Sequence, residues 1–220
     1  MDAAREICGD GGHTPIWIVA DQQTAGRGRM GRHWQSTDGN LFATLALATP
    51  CDPSRGPELG FVAGVALYDA VRRYRSDEQR GAQLKWPNDL LIGTAKCAGV
   101  LLEGCMIGGR FHVLIGFGVN LAAAPEGLAY PTALVAGEGG RDAFFALLSA
   151  AWVENVALWG GGFASIRAAW LERAVLGRVV SIKQPGGDIT GTMAGIDGSG
   201  RLILETGSGL RLIDAGDVFL

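Results

Sequence analysis

The stretch DLLIGTAKCAGVLLEGCMIGGRFHVLIGFGVNL, residues 89–121, decides the fold. Its apolar segments are separated only by Gly93-Thr94 and Gly108-Gly109. Turns this short join neighbouring antiparallel strands directly, whereas parallel strands need a long crossover. The stretch therefore predicts consecutive hairpins in an antiparallel or mixed sheet, and not a doubly wound parallel sheet.

The sequence before this stretch adds strands and helices to the same unit. IWIVA (16–20), LFATLALA (41–48) and AQLKW (82–86) are apolar strand candidates. Apolar residues recur at helical spacing over 60–74, and 2–9 has the composition of a short helix. Together these elements predict an α+β domain with a mixed or antiparallel sheet flanked by helices.

The pattern changes after two further helices, which are predicted over 141–159 and 163–174. Beyond them, short alternating segments are separated by glycine-rich turns, which is typical of a small β-barrel or meander. About 45 residues are too few to fold comfortably alone, so this part is expected to pack on the first domain. We therefore predict a first domain over 1–175 and a small C-terminal β-barrel domain over 176–220.

Composition excludes several classes of protein. Hydrophobic residues make up 48% of the 220 residues and charged residues 19%, so a sizeable core is expected and disorder is not. No apolar run long enough for a membrane span and no signal peptide were found, which predicts a cytoplasmic protein. A net charge of −3 and a pI near 5.6 argue against general affinity for nucleic acid.

The cysteines and histidines predict neither a disulfide framework nor a metal site. The cysteines form no C-x-x-C pair, so reduced and mostly buried thiols are expected. The histidines are few and scattered, so a zinc site is not predicted. These residues are Cys8, Cys51, Cys97, Cys105, His13, His33 and His112.

The first segment that indicates chemistry is QQTAGRGRMGRHW, residues 22–34, in which arginines alternate with glycines. Glycine lets a backbone approach a ligand closely, and arginine forms strong charge-assisted hydrogen bonds with phosphate and carboxylate groups. A glycine-arginine loop therefore suits a polyanion that binds and leaves. On this motif alone, a nucleic-acid tether or a solvated loop remains an equal alternative.

The second segment is KWPNDLLIGTAKCAGVLLE, residues 85–103. A bend at Trp86-Pro87 followed by a hairpin should bring Asn88, Asp89 and Lys96 towards one another. A carboxylate, an amide and an ammonium in such a group can hold a nucleotide and an attacking group. The alternative is a surface salt bridge with an Asx turn.

The third segment is IGFGVNL, residues 115–121. Gly116 and Gly118 within a strand indicate close approach by a ligand or backbone, and Asn120 follows near the strand end. Taken alone, the segment also fits an ordinary buried strand with a polar cap.

The three segments, in this order, resemble the biotin protein ligases. The strings G-R-G-R-x-G-R-x-W and K-W-P-N-D are specific to that family, and the C-terminal β domain resembles the family's last domain. The resemblance covers nearly the whole chain. It implies a class II synthetase-like catalytic domain and an SH3-like C-terminal barrel.

The resemblance implies an ATP-dependent ligase. Biotin and ATP, with Mg²⁺ carried by the nucleotide, would give biotinyl-5′-adenylate and pyrophosphate. A lysine of the biotin carboxyl carrier protein of acetyl-CoA carboxylase, or of a related carboxylase, would then accept the biotinyl group. No membrane partner is expected, and a homodimer is left open.

The family motifs also imply roles for individual residues. Lys96, Arg29 and Asp89 would be catalytic, Lys96 by neutralising the reacting anions and Asp89 by orienting the acceptor lysine. No protein metal ligand is implied. The residues expected on the biotin side are Gln23, Gly26, Arg27, Gly28, Arg29, Lys96 and Gly99. Those expected on the ATP side are Arg29, Arg32, Trp34, Lys85, Asn88, Asp89 and Asn120.

Two departures from the family pattern shape the expectations. No helix-turn-helix precedes the catalytic region, so DNA binding is not expected. Relatives carry a Ser-Thr-Asn segment before the first helix that binds the ureido ring, whereas this sequence starts with MDAARE. This difference predicts weak biotin binding, and it keeps a truncated, weakly active relative as an alternative.

Two other functions compete with biotin ligation. Lipoate ligases and lipoyl or octanoyl transferases share the fold and the acyl-adenylate chemistry, although the glycine-arginine loop and K-W-P-N-D favour biotin. The second is a non-catalytic module that binds nucleic acid. The net negative charge argues against it, and so does the lack of aromatic residues among the loop arginines on which bases could stack.

Overall fold

The computed structural model describes residues 1–48, 52–75, 81–184 and 187–219. The prediction for Cys51 lies outside these residues, as does part of one of the predicted glycine-rich turns of the C-terminal domain, at Gly186. In chain order the elements are α1 Asp2–Gly9, β1 Ile16–Ala20, β2 Leu41–Ala48, α2 Glu58–Tyr74, β3 Ala82–Lys85, β4 Asp89–Ile92, β5 Ala95–Ile107, β6 Arg110–Val119, α3 Gly140–Gly160, α4 Phe163–Arg173, β7 Val179–Lys183, β8 Ile189–Ile196, β9 Leu202–Thr206, β10 Gly209–Ile213 and β11 Asp217–Phe219. The predicted helices and strands are confirmed, with ends that differ by one or two residues.

The main sheet has the strand order β1-β2-β6-β5-β4-β3, and each of its pairings in the described part of the chain is antiparallel. The consecutive hairpins predicted from residues 89–121 therefore form its centre. β6, the last strand of the stretch 89–121, ends at Val119 rather than at Leu121. It ends there because the amide of Leu121 donates to the side chain of Asn40 instead of to a neighbouring strand.

The two faces of the main sheet are covered differently. α2, α3 and α4 cover one face and form the large core with side chains such as Leu45 and Ile115. α1 packs on the opposite face, where Ala4 and Cys8 meet Ala46 and Leu114. Since α1 is short, much of this second face is left for the cavity described below.

The expectation that no apolar segment reaches the length of a membrane span is wrong for α3. Among the described helices it is the one long and apolar enough, by length and composition, to do so. In the structure it lies against α2 and α4 and buries Phe144, Leu148 and Trp152. α3 is thus part of the helical layer on the main sheet.

β7 to β11 form a second antiparallel sheet in the order β10-β9-β8-β7-β11. This arrangement is consistent with the predicted SH3-like barrel. The indole of Trp86 donates to the carbonyl of Gly200 at 3.0 Å, and Lys85 Nζ donates to the carbonyl of Val218 at 3.0 Å. These bonds place β11 beside the β3–β4 turn, as expected for a small domain packed on the first.

The described cysteines Cys8, Cys97 and Cys105 are free thiols, and the first two are buried. Burial raises the pKa of the Cys97 thiol to about 12. This thiol therefore stays neutral and unreactive at physiological pH, as the sequence predicted for reduced, buried cysteines.

Candidate active site

The floor of the candidate site is the α1 side of the main sheet, where glycines from neighbouring strands meet. Gly99 of β5 pairs with Gly118 of β6. A Cβ atom at Gly118 would lie 2.5 Å from Cε2 of Trp34, and one at Gly99 would lie 3.3 Å from Nζ of Lys96. Glycine at these positions lets a flat group lie directly on the backbone. The close approach at Gly118 is made by the Trp34 side chain, whereas the sequence predicted a ligand or a backbone segment there.

Asp89 stands beside this floor between two lysines. Its Oδ1 lies 2.6 Å from Nζ of Lys96, and its Oδ2 lies 3.2 Å from Nζ of Lys85. The side chains of Asp89, Lys85 and Lys96 are only 13%, 15% and 17% exposed. The alternative of a surface salt bridge is therefore wrong, because all three groups are largely removed from solvent.

The short β3–β4 turn produces this cluster. Lys85 and Asp89 are paired across the turn, and the β4–β5 hairpin brings Lys96 to the same carboxylate. Burial on its own would raise the pKa of Asp89, but Lys96 and Lys85 outweigh burial and hold this pKa below its ordinary value. Asp89 is therefore a carboxylate at neutral pH.

The ammonium of Lys96 is also flanked by aromatic rings. Its Nζ lies 5.3 Å from the ring centroid of Trp34 and 5.6 Å from that of Tyr130. Both distances allow cation–π attraction. Lys96 therefore stands between the glycine floor, the Asp89 carboxylate and two rings.

The glycine-arginine loop folds back over the floor as a small hairpin. The amide of Gly28 donates to the carbonyl of Arg32 at 2.7 Å, and the amide of Trp34 donates to the carbonyl of Gly26 at 2.9 Å. A Cβ atom at Gly26 would lie 2.3 Å from the Trp34 carbonyl oxygen, so the hairpin requires glycine there. The loop is thus a cover for the floor, which does not favour the interpretation as a nucleic-acid tether.

The loop arginines reach different parts of the chain. Arg27 makes a two-pronged ion pair with Asp2 of α1, at 2.6 and 2.8 Å. Arg32 pairs with Asp217 of β11 at 2.7 Å, and Arg29 donates to the carbonyl of Gly216 at 3.3 Å.

Arg29 is the more buried of these arginines. Burial lowers the pKa of its guanidinium, and neighbouring Arg32 adds to this effect while Asp217 opposes it. A desolvated guanidinium beside a second one favours the arrival of an anion.

Two adjoining cavities lie between the floor, the loop and β11. The inner cavity, of about 80 Å³, is lined by the glycine floor, Gln23, Trp34 and Lys96. The outer cavity, of about 360 Å³, lies between the β3–β4 turn and β11. Both share the cationic end of the site, which comprises Arg29, Arg32, Asn88, Asp89, Lys96 and Tyr130.

Two polar atoms at the inner cavity await a partner. Within the described residues, Oε1 of Gln23 and Nε1 of Trp34 are buried without a hydrogen-bond partner. Buried polar atoms are rarely left unsatisfied in folded proteins, and such atoms at a cavity are typical of a ligand site.

Comparison with known proteins assigns the chain to one family. The family model described as "Biotin/lipoate A/B protein ligase family" matches residues 9–120, and the model "Biotin protein ligase C terminal domain" matches residues 175–220. The biotin–acetyl-CoA-carboxylase ligase of Paracoccus denitrificans is 40% identical over 215 residues, which cover 92% of this chain and 89% of the relative. The chain belongs to the biotin protein ligase family.

Other biotin ligases match over most of their length. The bifunctional ligase/repressor BirA of Bacillus subtilis is 30% identical over 99% of this chain and 70% of its own. The biotin protein ligase of Aquifex aeolicus in complex with biotin and ATP superposes with a TM-score of 0.78 at 25% identity. That match covers 92% of this chain and 87% of the Aquifex chain.

Most of the residues expected from the biotin ligase motifs lie around the two cavities. Gly26 and Asn120 are the exceptions. Gly26 supports the loop hairpin. The side-chain amide of Asn120 donates from Nδ2 to the carbonyl of Ala133 at 3.2 Å. Trp34, expected on the ATP side, lies on Gly99 and Gly118 of the inner cavity.

Thr44 and Tyr130 are among the cavity-lining residues that sequence reasoning missed. Thr44 lies at the inner cavity and Tyr130 borders both. Thr44 follows the alternation of β2, but its face could not be assigned before the pairing with Gly116 was known. Tyr130 lies in an irregular connection with no periodic signal.

Proposed function

We propose that this biotin ligase activates biotin with ATP to biotinyl-5′-adenylate and transfers the biotinyl group to a lysine of a carboxylase carrier domain. The observation that carries the proposal is the buried Lys85–Asp89–Lys96 cluster between the two cavities. The inner cavity has a flat glycine floor with an unsatisfied amide oxygen, and the outer cavity adds Lys85 to the cationic end that the two cavities share. That division suits an uncharged ring system at one end and a triphosphate at the other.

In the first step, a carboxylate oxygen of biotin attacks the α-phosphorus of ATP. The bond from that phosphorus to the bridging oxygen breaks, and pyrophosphate leaves. Two anions must approach each other, so the step needs cations that are already in place. Lys96 at the junction of the cavities supplies this charge, and Arg29, Arg32 and Lys85 lie towards the phosphates.

In the second step, the amine of the acceptor lysine attacks the acyl carbonyl, and AMP leaves with the electrons of the broken bond. The lowered pKa of Asp89 makes it a weak proton acceptor. Asp89 can still accept a hydrogen bond from the incoming amine, and we assign it this orienting role. The proton leaves to solvent or to the departing phosphate.

The biotin side is proposed at the inner cavity. Gln23 faces the head group through its unsatisfied Oε1, and Gly99 forms part of the floor. Arg27 and Gly28 belong to the covering loop. Trp34 fits this side better than the nucleotide side, because its ring already lies on the floor.

The nucleotide side is proposed at the outer cavity with Arg32, Lys85, Asn88 and Asp89. Asn120 does not line the outer cavity. It would contribute there only by holding the backbone of Ala133 through its side-chain amide. Within the described part of the chain, no group of three or more histidine, cysteine or acidic residues could hold a metal ion. Mg²⁺ is proposed to arrive with the nucleotide as part of the substrate.

Pyrophosphate release with biotin, compared with lipoate, tests the proposal. The full chain with ATP should release pyrophosphate with biotin and not with lipoate, and it should label a carrier domain with biotin. The lipoate alternative is not favoured, because the relatives that match most of this chain are biotin ligases. Release with lipoate alone would reverse this assignment.

Assembly and location are also proposed from the family. The acceptor is a biotin carboxyl carrier domain, and the ligase acts in the cytoplasm. A homodimer would be detected by sedimentation of the purified chain, with and without biotin and ATP.

A further inference from the structure

Residues 120–135, which form most of the connection from β6 to α3, are bound to the backbone of the central lysine. The amide of Lys96 donates to the carbonyl of Pro131 at 2.8 Å, and the amide of Ala133 donates to the carbonyl of Lys96 at 2.9 Å. These bonds hold the ring of Tyr130 on one side of the Lys96 ammonium. The β6–α3 connection therefore builds part of the wall around Lys96.

A single buried side chain holds the start of this connection. Oδ1 of Asn40 accepts hydrogen bonds from the amides of Leu121, Ala122 and Ala123 at 2.9, 2.9 and 3.1 Å. Its Nδ2 donates to the carbonyl of Ala123 at 2.8 Å. Asn40 is only 1% exposed, so water cannot replace these bonds freely.

Asn120 joins the two ends of the connection. Its backbone amide donates to the carbonyl of Cys97, and its backbone carbonyl accepts from the amide of Val135 at 2.8 Å. Residues 126–131 are mostly exposed. The position of Tyr130 therefore depends on the anchored ends rather than on packing of the loop itself.

We propose that Asn40 is a positioning residue for the adenylation step. It fixes the β6–α3 connection, which in turn sets the main chain of Lys96 and the ring of Tyr130 at the junction of the two cavities. Asn40 is not among the described residues that line either cavity, so it acts through Lys96. The proposal rests on the function proposed above.

Asn40→Ala removes all four hydrogen bonds and is the main test. A misplaced Lys96 would lower kcat for biotin-dependent pyrophosphate release by on the order of 10- to 100-fold, with biotin KM nearly unchanged. Hydrogen exchange at Leu121, Ala122, Ala123 and Ala133 should accelerate in the ligand-free chain. This second measurement does not depend on the assigned activity.

Asn155→Ala is the matched control. Asn155 is also buried and donates to the carboxylate of Asp69 and to the carbonyl of Ala151, within the helical layer. Its loss should lower the melting temperature without changing kcat. A comparable fall in melting temperature for both variants, with kcat lowered only by Asn40→Ala, supports the proposal.

Asn40→Asp is the conservative variant. Its carboxylate keeps the three amide bonds, but the second oxygen faces the Ala123 carbonyl and repels it. We expect kcat to fall by about threefold, between wild type and Asn40→Ala. This variant also carries the test if Asn40→Ala fails to fold, since kcat and exchange at Ala133 both equal to wild type would then overturn the proposal.

The outcomes separate this proposal from the proposed function. If Asn40→Ala matches wild type in kcat while its melting temperature falls as in Asn155→Ala, the role of Asn40 is only structural and the proposal is wrong. If the wild-type chain releases no pyrophosphate with biotin, the proposed function fails. Accelerated exchange at Ala133 in Asn40→Ala would still show that Asn40 anchors this connection.

Discussion

The charge cluster and the glycine-arginine loop contribute cations to the same site but are built differently. In the cluster, Lys85 and Lys96 share one buried carboxylate near the β3 edge of the main sheet. In the loop, Arg27 and its partner Asp2 have side chains that are 38% and 62% exposed. The cluster is held by the fold, whereas the loop is held by contacts that water and salt can replace.

This difference assigns a separate task to each region. A buried cluster with satisfied charges is pre-organised, so it can stabilise developing charge without rearranging. We expect the loop to shift when a ligand binds, because an inner cavity of about 80 Å³ is smaller than the roughly 300 Å³ typical of small-molecule sites. We infer that the cluster performs the chemistry and the loop admits and retains the ligand.

The largest expected effect comes from removing the central ammonium. Lys96→Met keeps the length of the side chain but leaves the biotin carboxylate and the α-phosphate without a counter-charge. Biotin-dependent pyrophosphate release should fall by about 100- to 1,000-fold. Lys183→Met, on an exposed position of β7, is the control and should retain activity. Activity of Lys96→Met within about threefold of wild type would exclude this role.

The second effect concerns the pH dependence of the cluster. The pKa of Asp89 is lower in the folded chain than the value of about 3.9 expected when unfolded. The contribution of the Asp89 carboxylate to the stability of the fold is therefore fully present above about pH 4. It is lost as the pH falls through the folded-state pKa. Asp89→Asn should lower the free energy of unfolding by about 1–3 kcal/mol at neutral pH.

Urea denaturation of wild type and Asp89→Asn across the acid range measures this difference. The difference in the free energy of unfolding between the two proteins should be constant from about pH 5 to 7 and should disappear below about pH 4. A gap that stays constant into strong acid would show that the carboxylate charge does not stabilise the fold.

A smaller effect is expected within the loop, where two glycines can be compared directly. Gly26→Ala would place a Cβ atom 2.3 Å from the Trp34 carbonyl and open the hairpin, whereas Gly28→Ala meets only ordinary contacts. The first variant should lose the adenylate about tenfold faster, seen as labelling of bystander proteins. The second should behave like wild type. Equal rates of adenylate loss from both variants would show that the hairpin does not retain the adenylate.

The smallest effect is expected at the anchor of the loop. Asp2→Asn weakens the pair with Arg27, whose side chains are largely exposed. The change in the free energy of unfolding should be below about 1 kcal/mol and should vanish at high salt. A larger, salt-independent loss would mean that this pair is part of the rigid frame.

The sequence predicted the cluster and the fold better than it predicted the loop contacts. Hairpins with two-residue turns fix which strands are neighbours, so Asp89 and Lys96 could be brought together in advance. The partners of the loop arginines, Asp2 and Asp217, are far away in sequence and carry no local signal. Trp34 was expected on the ATP side from the family motifs. Its contact with Gly118 could not be predicted, because that contact depends on how the loop folds over the sheet.

Hydrogen exchange of the loop and the floor, with and without biotin plus ATP, tests the central distinction most directly. We predict that amides at residues 24–34 exchange rapidly in the free chain and become protected when both substrates are present. Amides at 97–101 and 113–119 should be slow in both states, because they lie in the central strands. Equally slow exchange of the loop in both states would contradict the account, since it would leave no route by which the ligand enters.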